Sequence, residues 1–270
     1  MYYIPDLSKL LIIADFDGTL TQAHSYDKPT PSLTHILSSQ WYLGTDFTTK
    51  SKALFDYYRP IEYDHHLSLD FRIQAMEEWW TKSKQLMIDF KLHRDHIRQI
   101  ACSDVMMLRP GAKEFFDFLI QHHIPLVIMS ASGVWVDAIS QYLAYNDIHI
   151  DTDLAAIISN QCIRDDTWYM VDFVRPQMHS LNKTGRRILQ HPHYHLHRSH
   201  KTDILLLGDR IHDLDMSSGL PHRCQYSIWR YNHHEDTQLA RYQKYFDHVI
   251  IDDGPMNDVN KRLQSAIFTM

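Results

Sequence analysis

Cysteine is scarce in this chain, with Cys102, Cys162 and Cys224 scattered through 270 residues and no CxxC pair among them. That spacing excludes a disulfide framework and a thiolate zinc cluster, and leaves reduced thiols of the kind found in a cytoplasmic protein. Lysine and arginine form no run. The 27 basic residues are outnumbered by 33 acidic ones, for a net charge of −6, so the basic face of a nucleic-acid binder is missing. A small anionic substrate stays open, because a metal ion and one lysine can offset the overall charge locally. Long apolar runs are also absent. The longest are of strand length, so no membrane span is expected, and Met1–Leu10 lacks the basic start and long apolar stretch of a signal peptide. No internal repeat is found.

What the chain does have is enough apolar residue for a sizeable core, 44% of the sequence. Five short apolar runs each end in a polar loop. Leu10–Ala14 leads into Asp15, Pro125–Met129 into Ser130, Ala155–Ile158 into Ser159-Asn160, Ile204–Leu207 into Gly208-Asp209, and His248–Ile251 into Asp252-Asp253. Runs without alternation read as strands buried on both faces, as in a parallel sheet. Helical stretches separate several of them, such as Ala112–His122 after the Pro110-Gly111 break, which predicts a three-layer α/β/α, Rossmann-like core. In such sheets ligands bind beyond the carboxyl ends of the strands, where these polar residues fall. The segment from Thr21 to Asp104 differs: it is rich in aromatics and charges, with helical spacing over Phe71–Asp89 and Lys91–Cys102. It is expected to be a helical cap (21–104) inserted between the first two core strands, the core comprising 1–20 and 105–270. Ile163–Val174 is expected to form a β-hairpin.

Asp15-Phe16-Asp17-Gly18-Thr19-Leu20 carries the sharpest chemical signal. An aspartate at a strand end can attack phosphorus and form a covalent intermediate. A second carboxylate two residues later can protonate the leaving oxygen and then activate water, and Gly18 permits the tight backbone turn that follows. Ser130 can hydrogen-bond a phosphoryl oxygen with nearby backbone N–H groups assisting. Lys183 offers a compact positive charge, and Asp209 and Asp213 supply hard oxygen ligands suited to Mg²⁺. Each of these has a bland alternative: a helix N-cap for Ser130, a solvated surface lysine for Lys183, and capping roles for Asp209 and Asp213. His191, His193, His195, His197 and His200 invite a metal reading, but alternating histidines around Pro192 define no ligand geometry and are expected to be a solvated loop.

The four-part pattern resembles the haloacid dehalogenase-like phosphatases. The resemblance implies Asp15 as nucleophile, Asp17 as general acid/base and Lys183 as its cationic partner. It also implies Mg²⁺ as cofactor on Asp15, Asp209 and the main-chain carbonyl of Asp17, with Asp213 supporting the site from nearby. Longer stretches, Tyr57–Glu62, Met76–Ser83, Ser103–Met106, Leu108–Gly111, Ile158–Asn160 and Leu205–Asp209, are similar to the cytosolic 5′-nucleotidase III (pyrimidine 5′-nucleotidase) family. That resemblance implies a nucleoside 5′-monophosphate as substrate, with Ser130, Ala131 and Lys183 on the phosphate, Glu62 at the base edge, and Trp79, Trp80 and His35 as an aromatic wall. CMP or 7-methyl-GMP is expected over UMP, since a carboxylate accepts from the cytosine amino group and attracts a cationic methylated purine. The competing readings are a phosphatase acting on a non-nucleotide phosphomonoester and a non-catalytic nucleotide-binding protein. For the wall, the competing reading is that Trp79 and Trp80 only pack the cap and Glu62 is a surface carboxylate. Second-motif Ser132-Gly133 and Gly18 depart from the family's usual residues.

Overall fold

The structure is a computed structural model that describes residues 6–25, 28–39, 41–191, 200–230 and 236–267. Its frame is a six-stranded, wholly parallel sheet in the order β10-β9-β8-β1-β4-β5. The strands are β1 (Leu10–Ala14), β4 (Leu126–Met129), β5 (Ala155–Ile158), β8 (Asp203–Gly208), β9 (Cys224–Arg230) and β10 (His248–Ile250). Every residue of β1, β4 and β8 is buried. Burial on both faces is what their unbroken apolar runs require, and each Leu or Ile so buried stabilises the fold by roughly 1.5–3 kcal/mol. β1 pairs with β8 on one side and β4 on the other. Asp15 N donates to Leu207 O at 3.0 Å and Ser130 N to Ile158 O at 3.0 Å, so the ladder carries both residues just past the strand ends and onto one edge of the sheet.

The strand β9 was not expected. Gln225, Tyr226, Ser227 and Arg230 break its apolar run, yet it pairs with β8 along its length. Its polar groups find partners that a sequence does not display: Ser227 N and Oγ both donate to Asp247, at 2.7 and 2.8 Å, and Arg230 donates to Gly254 O at 2.7 Å. The expected hairpin forms as β6 (Cys162–Arg164) and β7 (Met170–Phe173). A two-residue pair, β2 (His24–Ser25) and β3 (Lys28–Pro29), opens the insertion.

Between Thr21 and Asp104 the chain makes four helices: α1 (Leu33–Ser39), α2 (Thr45–Tyr63), α3 (Leu69–Asp89) and α4 (Arg94–Ala101). The helical spacing seen from Lys91 becomes a helix only at Arg94. Lys91 takes a left-handed φ of 54°, which closes the preceding helix, and His93 then caps α4 by accepting from Asp95 N. Leu33, Ile36, Leu37, Phe47, Ile97 and Ile100 pack in one continuous core with Ile12, Phe115 and Leu126. Tyr58, Ala75, Met76 and Trp79 instead form a small cluster of their own between α2 and α3. Residues 21–104 therefore meet the sheet through α1, α4 and the ends of α2 and α3 that carry Phe47 and Met87, while the remainder of α2 and α3 carries a separate apolar seam. The helices outside the insertion are α5 (Ala112–Gln121), α6 (Trp135–Tyr145), α7 (Arg186–Leu189), α8 (Asp236–Tyr245) and α9 (Asn257–Ile267). Among the described residues no helix is long and apolar enough to cross a membrane. His193, His195 and His197 lie outside the described residues.

Candidate active site

Asp15, at the end of β1, is buried, and its Oδ1 accepts from Lys183 Nζ at 2.5 Å. The same ammonium reaches Asp213 Oδ1 at 2.6 Å. Asp213 lies in the 3₁₀ turn Ile211–Ser217, and its other oxygen accepts Asp209 N at 3.0 Å and Arg210 N at 2.9 Å. This folding-back needs a glycine before Asp209, because a Cβ on Gly208 would stand 2.6 Å from Asp213 Cβ. Asp17 sits two residues beyond Asp15, at the start of a turn in which Gly18 has φ 77°. Its Oδ1 is buried without a hydrogen-bond partner among the described residues. The turn is clamped by a buried arginine: Arg109 donates to Gly18 O at 2.6 Å, to Thr19 O at 2.9 Å, and pairs with Asp253 at 2.7 Å.

Four carboxylates around one ammonium leave an excess of buried negative charge. Burial, with the neighbouring carboxylate Asp15, pushes Asp17 up to about 7. Asp15 is raised by burial against the pull of Lys183, and Asp209 is raised well above the usual range by burial and by Asp15 and Asp213. Burial would lower Lys183, but attraction to Asp15 and Asp213 outweighs it and holds the ammonium charged. A divalent cation would relieve this imbalance, and the donor set fits one. Carboxylate oxygens of Asp15, Asp209 and Asp213 lie within 4.8 Å of one another, and all are hard donors of the kind Mg²⁺ takes. Asp213 already accepts from three donors. Asp15 has a 3.4 Å contact from Thr19 on Oδ2 and a hydrogen bond from the Phe16 backbone besides Lys183, and Asp209 has Arg210 at 3.9 Å, so of the three, among the described residues, Asp209 keeps the most open carboxylate.

A cavity of about 480 Å³ opens above this floor, between the sheet edge and α1–α3. Asp15, Asp17, Ser130, Ala131, Lys183 and Asp213 line its lower end. Glu62, Trp79, Trp80 and His35 line its upper wall. Of the residues expected to serve catalysis, the metal or the substrate, Asp209 is not part of the lining. Glu62 is buried and held on both oxygens, by Arg59 at 2.6 Å and by Ser180 Oγ at 2.5 Å; its main-chain oxygen accepts twice from Arg72. Ser180 and Lys183 belong to one short segment, so only Leu181 and Asn182 separate the grip on Glu62 from the grip on Asp15. Trp79 stacks on Tyr58 at 5.9 Å and meets Trp80 edge-on at 5.0 Å. It packs the seam between α2 and α3 and lines the cavity at once.

Phe55, 40% exposed, completes the wall. It stands 6.0 Å from Trp79 and 6.3 Å from His35, and the sequence reading did not single it out. Its signal was the spacing Phe55, Tyr58, Glu62, which puts all three on one side of α2. Ser180, 118 residues from Glu62, gave no such signal. Arg210 was also missed as a wall residue; it lines the cavity and donates to the hydroxyl of Tyr63, joining the sheet edge to α2.

Residues 18–267 match the family described as Pyrimidine 5′-nucleotidase (UMPH-1). A 7-methylguanosine phosphate-specific 5′-nucleotidase of Gallus gallus is 32% identical over 254 residues, covering 94% of this chain and 86% of that protein. Its namesake in Drosophila melanogaster is 31% identical over 262 residues, with 96% and 80% covered. Among solved structures, cytosolic 5′-nucleotidase IIIB bound to cytidine superposes with a TM-score of 0.83 at 30% identity, covering 97% of this chain and 87% of that one. A phosphoserine phosphatase in phospho-aspartyl analogue form shares the fold, with a TM-score of 0.53 at 15% identity and 94% and 97% covered. A parallel sheet with carboxylates at its strand ends and a match over nearly the whole chain agree: this protein belongs to the pyrimidine 5′-nucleotidase family, phosphoric monoester hydrolases of the haloacid dehalogenase-like fold.

Proposed function

We propose that the chain is a Mg²⁺-dependent cytoplasmic 5′-nucleotidase that cleaves a nucleoside 5′-monophosphate of the CMP or 7-methyl-GMP type by way of an aspartyl-phosphate. The observation that carries this reading is the Asp15–Lys183 pair at the floor of a cavity whose wall holds Glu62 among aromatic rings. Asp15 attacks phosphorus as the bond to the 5′ oxygen breaks, and Asp17 gives that oxygen its proton. Asp17 then takes a proton from water, whose oxygen attacks the aspartyl-phosphate, freeing inorganic phosphate and restoring Asp15. Ser130 Oγ and the Ala131 N–H hold phosphoryl oxygens, and Lys183 offsets the repulsion between carboxylate and dianion. Asp15, Asp209 and the Asp17 carbonyl would hold Mg²⁺, which supplies further charge neutralisation when bound. Asp213 positions Lys183 and the Asp209 backbone.

At the wall, Phe55, Trp79 and Trp80 offer faces and edges on which a base can stack. Glu62, fixed by Arg59 and Ser180, accepts from a base amino group or attracts a methylated cationic purine. The names of the chicken and fruit-fly relatives and the cytidine in the solved neighbour support both substrate types. The test is phosphate release from CMP, UMP, 7-methyl-GMP, AMP, phosphoserine and sugar phosphates, with Mg²⁺ or EDTA. Mg²⁺-dependent release from CMP or 7-methyl-GMP, exceeding that from UMP, is the expected result. Release confined to phosphoserine or sugar phosphates would overturn the nucleotide assignment while keeping the chemistry.

A further inference from the structure

Lys84 is a buried cation that the reaction above does not use. It lies within α3, 1% exposed, and lines the same cavity as Asp15 and Ser130. No carboxylate stands within ion-pair reach of it among the described residues. Its Nζ donates to the main-chain oxygen of Gly133 and lies 5.0 Å from the centroid of the Trp135 ring. Nearby stand the Arg164 guanidinium, 5.9 Å from that ring and paired with Asp137, and the Cys162 thiol, which burial pushes up to about 11 and so leaves uncharged.

Gly133 belongs to the loop that follows β4 and carries Ser130 and Ala131. Its N–H donates to Thr34 Oγ1 of α1 at 2.7 Å, so the insertion holds it at both polar groups, N–H by α1 and C=O by α3. A side chain there would stand 2.8 Å from Thr34 Cγ2, so glycine is what allows the approach. Thr34 also bonds Ser132 Oγ at 3.3 Å, and Ser132 N donates to Ser130 Oγ at 3.2 Å. Two residues on, Trp135 has φ 72°, a conformation a bulky residue keeps only where its surroundings over-determine it. A buried ammonium facing a carbonyl, a ring and a thiol is incompletely compensated, and a phosphoryl dianion on this loop would complete it.

Resting on the reading of the Ser130 loop as the phosphate site, we infer that Lys84 is a positioning residue. It ties that loop to the insertion through Gly133 and draws a phosphate dianion by supplying a charge that no carboxylate neutralises. Burial pulls Lys84 down to about 7. The ammonium is therefore present below that value and is lost as pH rises through it, unless an anion holds the proton in place.

The experiment measures inhibition by inorganic phosphate, in Mg²⁺, of p-nitrophenyl phosphate hydrolysis, a substrate without a base, near pH 6 and near pH 8.5. In Lys84→Met the inhibition constant should rise about tenfold relative to the unsubstituted protein near pH 6, and the ratio should shrink near pH 8.5. Comparing the two proteins at each pH cancels the titration of phosphate and of Asp17. Thr34→Val, which removes the uncharged half of the tie, should raise the constant by a similar factor at both pH values. Methionine fills the lysine's volume without its desolvated charge, so the melting temperature should not fall; if that variant nonetheless fails to fold, unchanged inhibition in Thr34→Val overturns the inference. Inhibition within twofold of the unsubstituted protein near pH 6 in Lys84→Met overturns the role of Lys84 alone. Phosphate that inhibits neither protein overturns the phosphate site and this inference together. Failure to cleave nucleotides, with the p-nitrophenyl phosphate results as expected, overturns only the nucleotide assignment.

Discussion

The floor and the wall of the cavity are built on different principles. On the floor, side chains are fixed by the backbone of a strand end or a tight turn, and Asp15, Lys183 and Asp213 also by charge pairs of 2.5–2.6 Å. At the wall, aromatic rings meet at 5–6 Å from helices, and a single carboxylate is steadied by two neighbours. Moving a floor residue by 1 Å breaks a charge pair; moving a ring by the same amount changes a packing contact. Chemistry is thus held by geometry that only a few residue types satisfy, and selectivity by a surface that many aromatic arrangements could make.

The comparison can be broken most sharply at Asp15. Asp15→Asn should lower phosphate release from every substrate by on the order of 10⁴-fold or more, with the circular dichroism spectrum unchanged. Asp17→Asn should cost about 10²–10⁴-fold, again for all substrates alike. Either variant retaining close to full turnover would remove its residue from the mechanism. At the wall the effects should be selective. Glu62→Ala should narrow the CMP-to-UMP ratio of kcat/KM by about ten- to a hundredfold, the value of about 1–3 kcal/mol for a base-edge contact, while leaving p-nitrophenyl phosphate untouched. Equal losses for the two substrate kinds would show that floor and wall are not separable. Phe55→Ala should raise KM for nucleotides by about tenfold, the lower part of the range for base stacking. Ser180→Ala should have the smallest effect, a few-fold loss of selectivity from one hydrogen bond of about 1 kcal/mol, read in the same CMP-to-UMP comparison.

The floor was legible in sequence because an apolar run that ends in a polar residue fixes where that residue sits. Asp15, Ser130 and Asp209 all follow such runs, and the ladder hydrogen bonds of Asp15 and Ser130 put them where the runs imply. Lys183 follows no strand; its Asn-Lys-Thr setting pointed to it only alongside the other motifs. β9 escaped because its polar residues are satisfied by Asp247 and Gly254, partners distant in sequence. At the wall, the pairing of Arg59 with Glu62 is local to one helix and could be read from spacing, whereas the Ser180 contact depends on the whole fold. Trp79 shows why aromatic positions resist assignment: the same indole packs a seam and faces a cavity.

The segment from Ser180 to Lys183 touches the wall at Glu62 and the floor at Asp15. Product release is where that matters. On the proposed function, a nucleoside against Glu62 and a phosphate against Lys183 would bear on opposite ends of the same few residues, and each product is then expected to alter the affinity for the other. Thermodynamic reciprocity makes the two effects equal in size. Dual product inhibition should therefore be non-additive, with nucleoside changing the phosphate inhibition constant by the factor with which phosphate changes the nucleoside's, and Ser180→Ala should bring that factor toward one.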